Sequence, residues 1–144
     1  MCEGQGKPLA LTLTAGQRHD STQLGAVLDR VHVPRRGGGR ARKRPDLLLA
    51  DKGYSYPRCR RELRRRGIRH LIPERSDQQA QRQQKGRRGG RPVAFDPQLY
   101  RRRNVVERAI GRLKQFRRIA TRYEKRALNY VAFLHLAAIV LWLA

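Results

Sequence analysis

Leucines alternate with smaller residues over positions 8–14 (PLALTLT), with Leu9, Leu11 and Leu13 on one side and Ala10, Thr12 and Thr14 on the other. A period of two predicts a strand with one apolar face. The preceding Glu3-Gly4-Gln5-Gly6 predicts a tight turn, which puts Met1 at the end of an earlier strand. Asp20 and Ser21 offer N-cap oxygens to a helix carrying Leu24, Val27, Leu28 and Val31 at i, i+3, i+4 and i+7. Residues 34–45 (PRRGGGRARKRP) show no period and predict a basic, glycine-rich loop.

The run DLLLAD, 46–51, predicts a short strand buried on both faces, as in the middle of a covered sheet. Pro57 suits the first turn of a helix that Gly67 ends, and IRHLI, 68–72, predicts another strand. Residues 74–98, rich in Gln, Arg and Gly, predict a mobile loop. From about 99 to 123, Val106, Ala109, Ile110, Leu113, Phe116 and Ala120 recur at helical spacing and predict one long helix. Residues 127–144 contain no formally charged side chain, but Asn129 and His135 interrupt them. A buried core helix fits that stretch better than a membrane span, which needs about 20 apolar residues. The element order is that of an α/β domain with a mixed sheet.

Charge changes the picture. Lys and Arg number 34 against 11 Asp and Glu, for a net charge of +23, and 28 of the 34 are Arg. So one-sided a surface repels itself and favours a polyanion, nucleic acid first, whose phosphates accept charge-assisted hydrogen bonds from guanidinium groups. Cys2 and Cys59 lack metal-site spacing and form no disulfide framework. No apolar leader opens the chain.

On an ideal helix with Tyr100 at zero, Glu107 falls near roughly −20°, Lys114 near −40° and Arg103 near −60°. The apolar set centres roughly 140° away. One narrow stripe thus carries a carboxylate among cations, and Gly111, a turn past Glu107, keeps its surroundings open. Glu and Lys are also ordinary residues of a solvated helix face, so the stripe alone does not decide. YRRRNVVERAIGRLK, however, matches the Y-(2)-R-(3)-E-(6)-K signature of insertion-sequence DDE transposases at Tyr100, Arg103, Glu107 and Lys114. LLLADKGY resembles the family segment in which the second catalytic Asp ends a buried strand, here Asp51, and GQGKPLALTLTAGQRHDSTQL resembles the strand, turn and helix start before it.

The resemblance implies an RNase H-like α/β fold, a mixed sheet with flanking helices, spanning 1–144 as a partial catalytic domain. It implies metal-dependent DNA cleavage and strand transfer at insertion-sequence ends, with two Mg²⁺ (or Mn²⁺) ions held by carboxylates. Asp51 and Glu107 would be the catalytic metal ligands, Arg103 and Lys114 would hold phosphates, and Tyr100 would stack on or bond to DNA. The partners implied are insertion-sequence ends and target DNA, within an oligomeric active complex in the bacterial cytoplasm at the nucleoid, with no membrane. The triad needs a further Asp from the first strand. Asp20 suits an N-cap, Glu3 a turn, Asp29 lies within the first helix, and Asp46 opens the strand that Asp51 closes. The expectation is therefore a domain truncated at its N-terminus and inactive alone, either a decayed remnant or the downstream half of a transposase whose first Asp an upstream reading frame supplies. The alternative is a non-catalytic basic protein that binds nucleic acid. Lys7, Arg35, Arg36 and residues 82–91 add positive charge, but spacing singles out none of them.

Overall fold

The computed structural model describes residues 1–35 and 37–144, so Arg36 lies outside it. Its helices in chain order are α1 (Leu24–Asp29), α2 (Pro57–Arg65), α3 (Ser76–Gln84), α4 (Pro97–Arg101), α5 (Asn104–Lys114), α6 (Arg117–Ala120) and α7 (Ala127–Leu143). The strands are β1 (Leu47–Leu49) and β2 (Arg69–Leu71). The chain forms two compact units: Met1–Lys43 with Arg102–Ala144, and the contiguous segment Arg44–Arg101.

In the contiguous unit β1 and β2 pair in parallel, with Leu48 opposite His70. Parallel neighbours need a crossover, and α2 supplies it. The architecture is α/β, but the expected mixed sheet is here a parallel pair. Among the described residues, antiparallel pairing is confined to isolated bridges at Cys2–Pro8 and Val33–Arg42. Of the three β1 leucines only Leu48 is buried, because a two-stranded sheet does not enclose both faces. Helix α2 begins at Pro57, whose missing N–H costs nothing in a first turn. It buries Cys59, Arg60 and Leu63. Gly67 then takes φ +64°, a conformation that a side chain would strain.

Residues 74–98 are not the structureless loop their composition suggested. Helix α3 occupies 76–84, and a 3-10 turn, Gly86–Gly89, follows. The backbone N–H of Arg75 donates to Gln78 Oε1 (3.4 Å), and Arg82 pairs with Glu74 from two turns away. Gln, Arg and Ala are good helix formers, so a polar composition does not exclude a helix.

In the discontinuous unit, the turn at Glu3–Gly6 forms as expected. Glu3 closes it by accepting from Gln5 N (2.9 Å) and Lys7 N (2.8 Å). Residues 8–14 make no ladder, which corrects the expected strand. Ala10 is buried while Leu13 is exposed, the reverse of the phase that alternation implied. The carbonyl of Leu11 is taken instead by the Arg30 side chain (2.8 Å). Leu24, Leu28 and Val31 are buried as their spacing requires. The helix has Gln23 at its N-cap with no side-chain cap bond; Asp20 and Ser21 lie inside a preceding 3-10 turn, Asp20–Gln23, which His19 caps, its Nδ1 accepting from Ser21 N (3.4 Å).

The single helix expected over 99–123 is three. The chain turns at 102–103, where Val105 N and Val106 N donate to the carbonyls three residues back (3.2 and 2.9 Å). Phe116 is extended (φ −75°, ψ 107°) and separates α5 from α6. Leu113, Ile119, Ala137 and Leu141 form a core joined by Leu11, Phe116, Tyr130, Phe133 and Leu134. Ile110 and Ala120 stay exposed, against the expectation from their spacing. Helix α7 is not buried all round either: only Ala137 and Leu141 are covered, and Leu128 and Leu143 are 81% and 84% exposed. Among the described residues, no helix is long and apolar enough to cross a membrane.

Candidate functional site

Asp51 follows β1 with an extended backbone (φ −78°, ψ 177°) and caps the 3-10 turn Lys52–Tyr54. Its Oδ1 accepts from Gly53 N (2.9 Å), and the residue is exposed. The short sequence Asp-Lys-Gly thus fixes the carboxylate at the strand's end: the strand delivers the residue and the Asx-type bond orients it.

Glu107 lies in the first turn of α5, at the N-terminal end of the helix dipole, which favours a negative charge. Its side chain is 62% exposed and receives Arg103 Nη1 at 3.0 Å from Arg103, which is itself half-buried. An exposed pair of this kind contributes at most about 1 kcal/mol to stability. Lys114 closes the helix, exposed, where a cation meets the dipole's negative end. Gly111, on the same helix, has nothing within 4 Å of where a Cβ would stand.

Tyr100 belongs to α4 and leans on Phe95, ring centroids 5.1 Å apart at 56°. The turn at 102–103 interrupts the continuous stripe drawn on an ideal helix. Arg103, Glu107 and Lys114 keep their register along α5, but Tyr100 and Asp51 belong to the other unit. Among the described residues, no group of three or more His, Cys, Asp or Glu side chains gathers.

Lys7, one of the basic residues that spacing left unassigned, is occupied internally. Its Nζ donates to the Trp142 carbonyl (3.1 Å) and lies 5.5 Å from the Trp142 ring centroid. Arg112 binds the Gly6 carbonyl (3.0 Å) and holds the N-terminal turn against α5. Sequence reasoning treated α2 as a helix and drew nothing from its arginines. Their run in RCRRELRRR was the available signal, and in the structure several of them face a cleft.

Residues 1–143 match the family profile described as Transposase DDE domain. The chain is 36% identical over 141 residues to a protein assigned as the transposase for insertion sequence element IS402 of Burkholderia cepacia, covering 97% of this chain and 59% of that protein. It is 30% identical over 129 residues to one assigned as the transposase for insertion sequence element IS6501 of Brucella ovis, covering 85% of this chain and 98% of that protein. The chain therefore spans about three fifths of the first relative and nearly all of the second. No solved structure matches.

Proposed function

Because the chain belongs to the Transposase DDE domain family, we propose that it serves in DNA transposition, as a segment of a domain that cleaves and joins DNA at insertion-sequence ends. The match along residues 1–143 carries this reading. Asp51 and Glu107 are the proposed metal ligands. Both offer hard carboxylate oxygens at exposed positions, the donor class that Mg²⁺ and Mn²⁺ take. Each commits one oxygen to a protein donor, Gly53 N for Asp51 and Arg103 for Glu107, which fixes the carboxylate's orientation.

Bound divalent ions supply a deprotonated attacking oxygen and stabilise the leaving one. The chain's own residues hold those ions and the DNA. Arg103 steadies Glu107 and adds positive charge beside it for a phosphate, Lys114 adds a point charge further along α5, and Tyr100 packs on DNA. Three carboxylates make the family's triad, and these residues offer two of them. This chain alone is then inactive, and the active form is an oligomer on DNA.

A second reading, a basic protein that binds nucleic acid without cutting it, is favoured by one observation: an N-cap and a surface ion pair account for Asp51 and Glu107 without any metal. Mn²⁺ titration separates the two. Asp51→Asn or Glu107→Gln is expected to abolish specific Mn²⁺ binding, and the chain fused to an upstream Asp-bearing segment is expected to nick duplexes carrying an insertion-sequence end. Unchanged Mn²⁺ binding in both variants would establish the second reading.

A further inference from the structure

The contiguous unit holds a cleft of about 610 Å³ between α2 and the α3 segment. Arg60, Arg61 and Arg64 line it from α2, and Arg82, Lys85 and Arg88 from the opposite side. Only two carboxylates line it, Glu74 and Asp77, and each is spent on an arginine of its own segment, Arg82 and Arg75. Arg61, Arg64, Lys85 and Arg88 make no ion pair among the described residues.

A solvated basic face would keep its cations in water, and here one of them is not. Arg60 is 7% exposed, with Nη2 donating to the Ile72 carbonyl (2.8 Å); burial disfavours its charge, the nearby Glu74 carboxylate favours it, and Arg64, a turn away, opposes it less strongly. A buried guanidinium needs an anion to offset its desolvation, and Glu74 serves both Arg60 and Arg82 here. Ser55 lines the same cleft, 3% exposed, and its hydroxyl has no partner. The Nε–H of Arg75 is likewise buried and unbonded. Buried polar groups normally find partners, so two orphaned donors beside unpaired cations call for an acceptor-rich anion. Gly89 fixes the far wall, because a Cβ there would stand 2.2 Å from the Arg82 carbonyl oxygen. Only glycine lets the turn carrying Arg88 lie so close on α3.

We propose that this cleft binds phosphate groups of the DNA backbone, at a site separate from Asp51 and Glu107. The phosphate chemistry stands on the cleft itself. The choice of DNA as its source rests on the transposition reading.

The test is fluorescence anisotropy of labelled duplex DNA across a salt series. The triple variant Arg61→Gln, Arg64→Gln, Arg88→Gln is compared with a charge-matched control, Arg40→Gln, Lys43→Gln, Lys125→Gln. The cleft variant is expected to lose about tenfold more affinity than the control, with the salt slope falling by roughly 0.9 per phosphate contact removed. Ser55→Ala, which changes no charge, is expected to weaken binding severalfold without lowering the melting temperature. Equal losses in the cleft and control variants overturn the proposal, as does wild-type DNA binding by Ser55→Ala together with an unimpaired cleft triple. Inorganic phosphate or a free nucleotide that binds wild type but not the cleft triple, with DNA affinity equal in triple and control, overturns DNA as the source. Failure of the metal-site reading shows in Mn²⁺ titration of the Asp51 and Glu107 variants and not in this comparison of DNA affinities.

Discussion

Helices α5 and α7 meet in one core and could hardly be written more differently. In α5 apolar and charged residues segregate, and the structure buries Ala109 and Leu113 while Glu107 and Lys114 face out. In α7 every turn is apolar, yet only Ala137 and Leu141 are covered. Amphipathic spacing tells a helix which way to face. Uniform apolarity raises the drive for burial but carries no direction, so the helix packs wherever its neighbours reach.

The contrast can be broken at single positions. Leu141→Ala and Leu113→Ala each empty a core site and are expected to cost about 2–5 kcal/mol, read by thermal or urea unfolding. Leu128→Ala and Leu143→Ala, on the same apolar helix, are expected to change stability by less than about 0.5 kcal/mol. If all four leucines cost alike, α7 is buried all round after all. On α5, Gly111→Ala places a methyl in open space, with an expected gain of about 0.5–1 kcal/mol. A matching loss of DNA cleavage by the assembled transposase would show that the open space beside Glu107 is used.

The smallest effect extends the comparison to α2, the amphipathic helix of the other unit. Arg65 and Arg66 both donate to Glu62 (2.8 and 2.5 Å) and hold its carboxyl at about 2, against an ordinary 4.5. A lowered folded pKa contributes stability fully above the unfolded value, and that contribution fades as pH falls from about 4.5 toward 2. Glu62→Gln should therefore be slightly less stable than wild type at pH 6 and equal to it near pH 2. A gap that persists at pH 2 would assign the effect to something other than charge.

Periodic segments were the legible ones. Leu24, Leu28 and Val31 are buried as spaced, Pro57 and Gly67 bracket α2, and β1 and β2 lie where short apolar runs fell. What spacing could not supply was decided by long-range or side-chain bonds. The Arg82–Glu74 pair ties α3 to the residues before it, His19 caps a 3-10 turn that takes in Asp20, and the turn at 102–103 divides what looked like one helix. Of the candidate site, Glu107 and Lys114 kept their register within α5, and Arg103 kept its step to Glu107 from the N-cap, where its backbone is already helical. Tyr100 did not, because the break falls between it and them. The α2 cleft was illegible because its two walls are separated by β2 and joined only by folding.

The discontinuous unit has a consequence for the order of synthesis. Met1–Lys43 is translated before Arg44–Arg101, and its partners from Arg102 to Ala144 only after it. At about 5–20 residues per second, Leu24, Leu28 and Val31 wait several seconds for α5 and α7 to emerge. Arg44–Arg101 has no such delay, being continuous in sequence. A message cut short before α5 would therefore still carry the whole middle segment, arginines included, attached to an N-terminal segment without the helices it packs against.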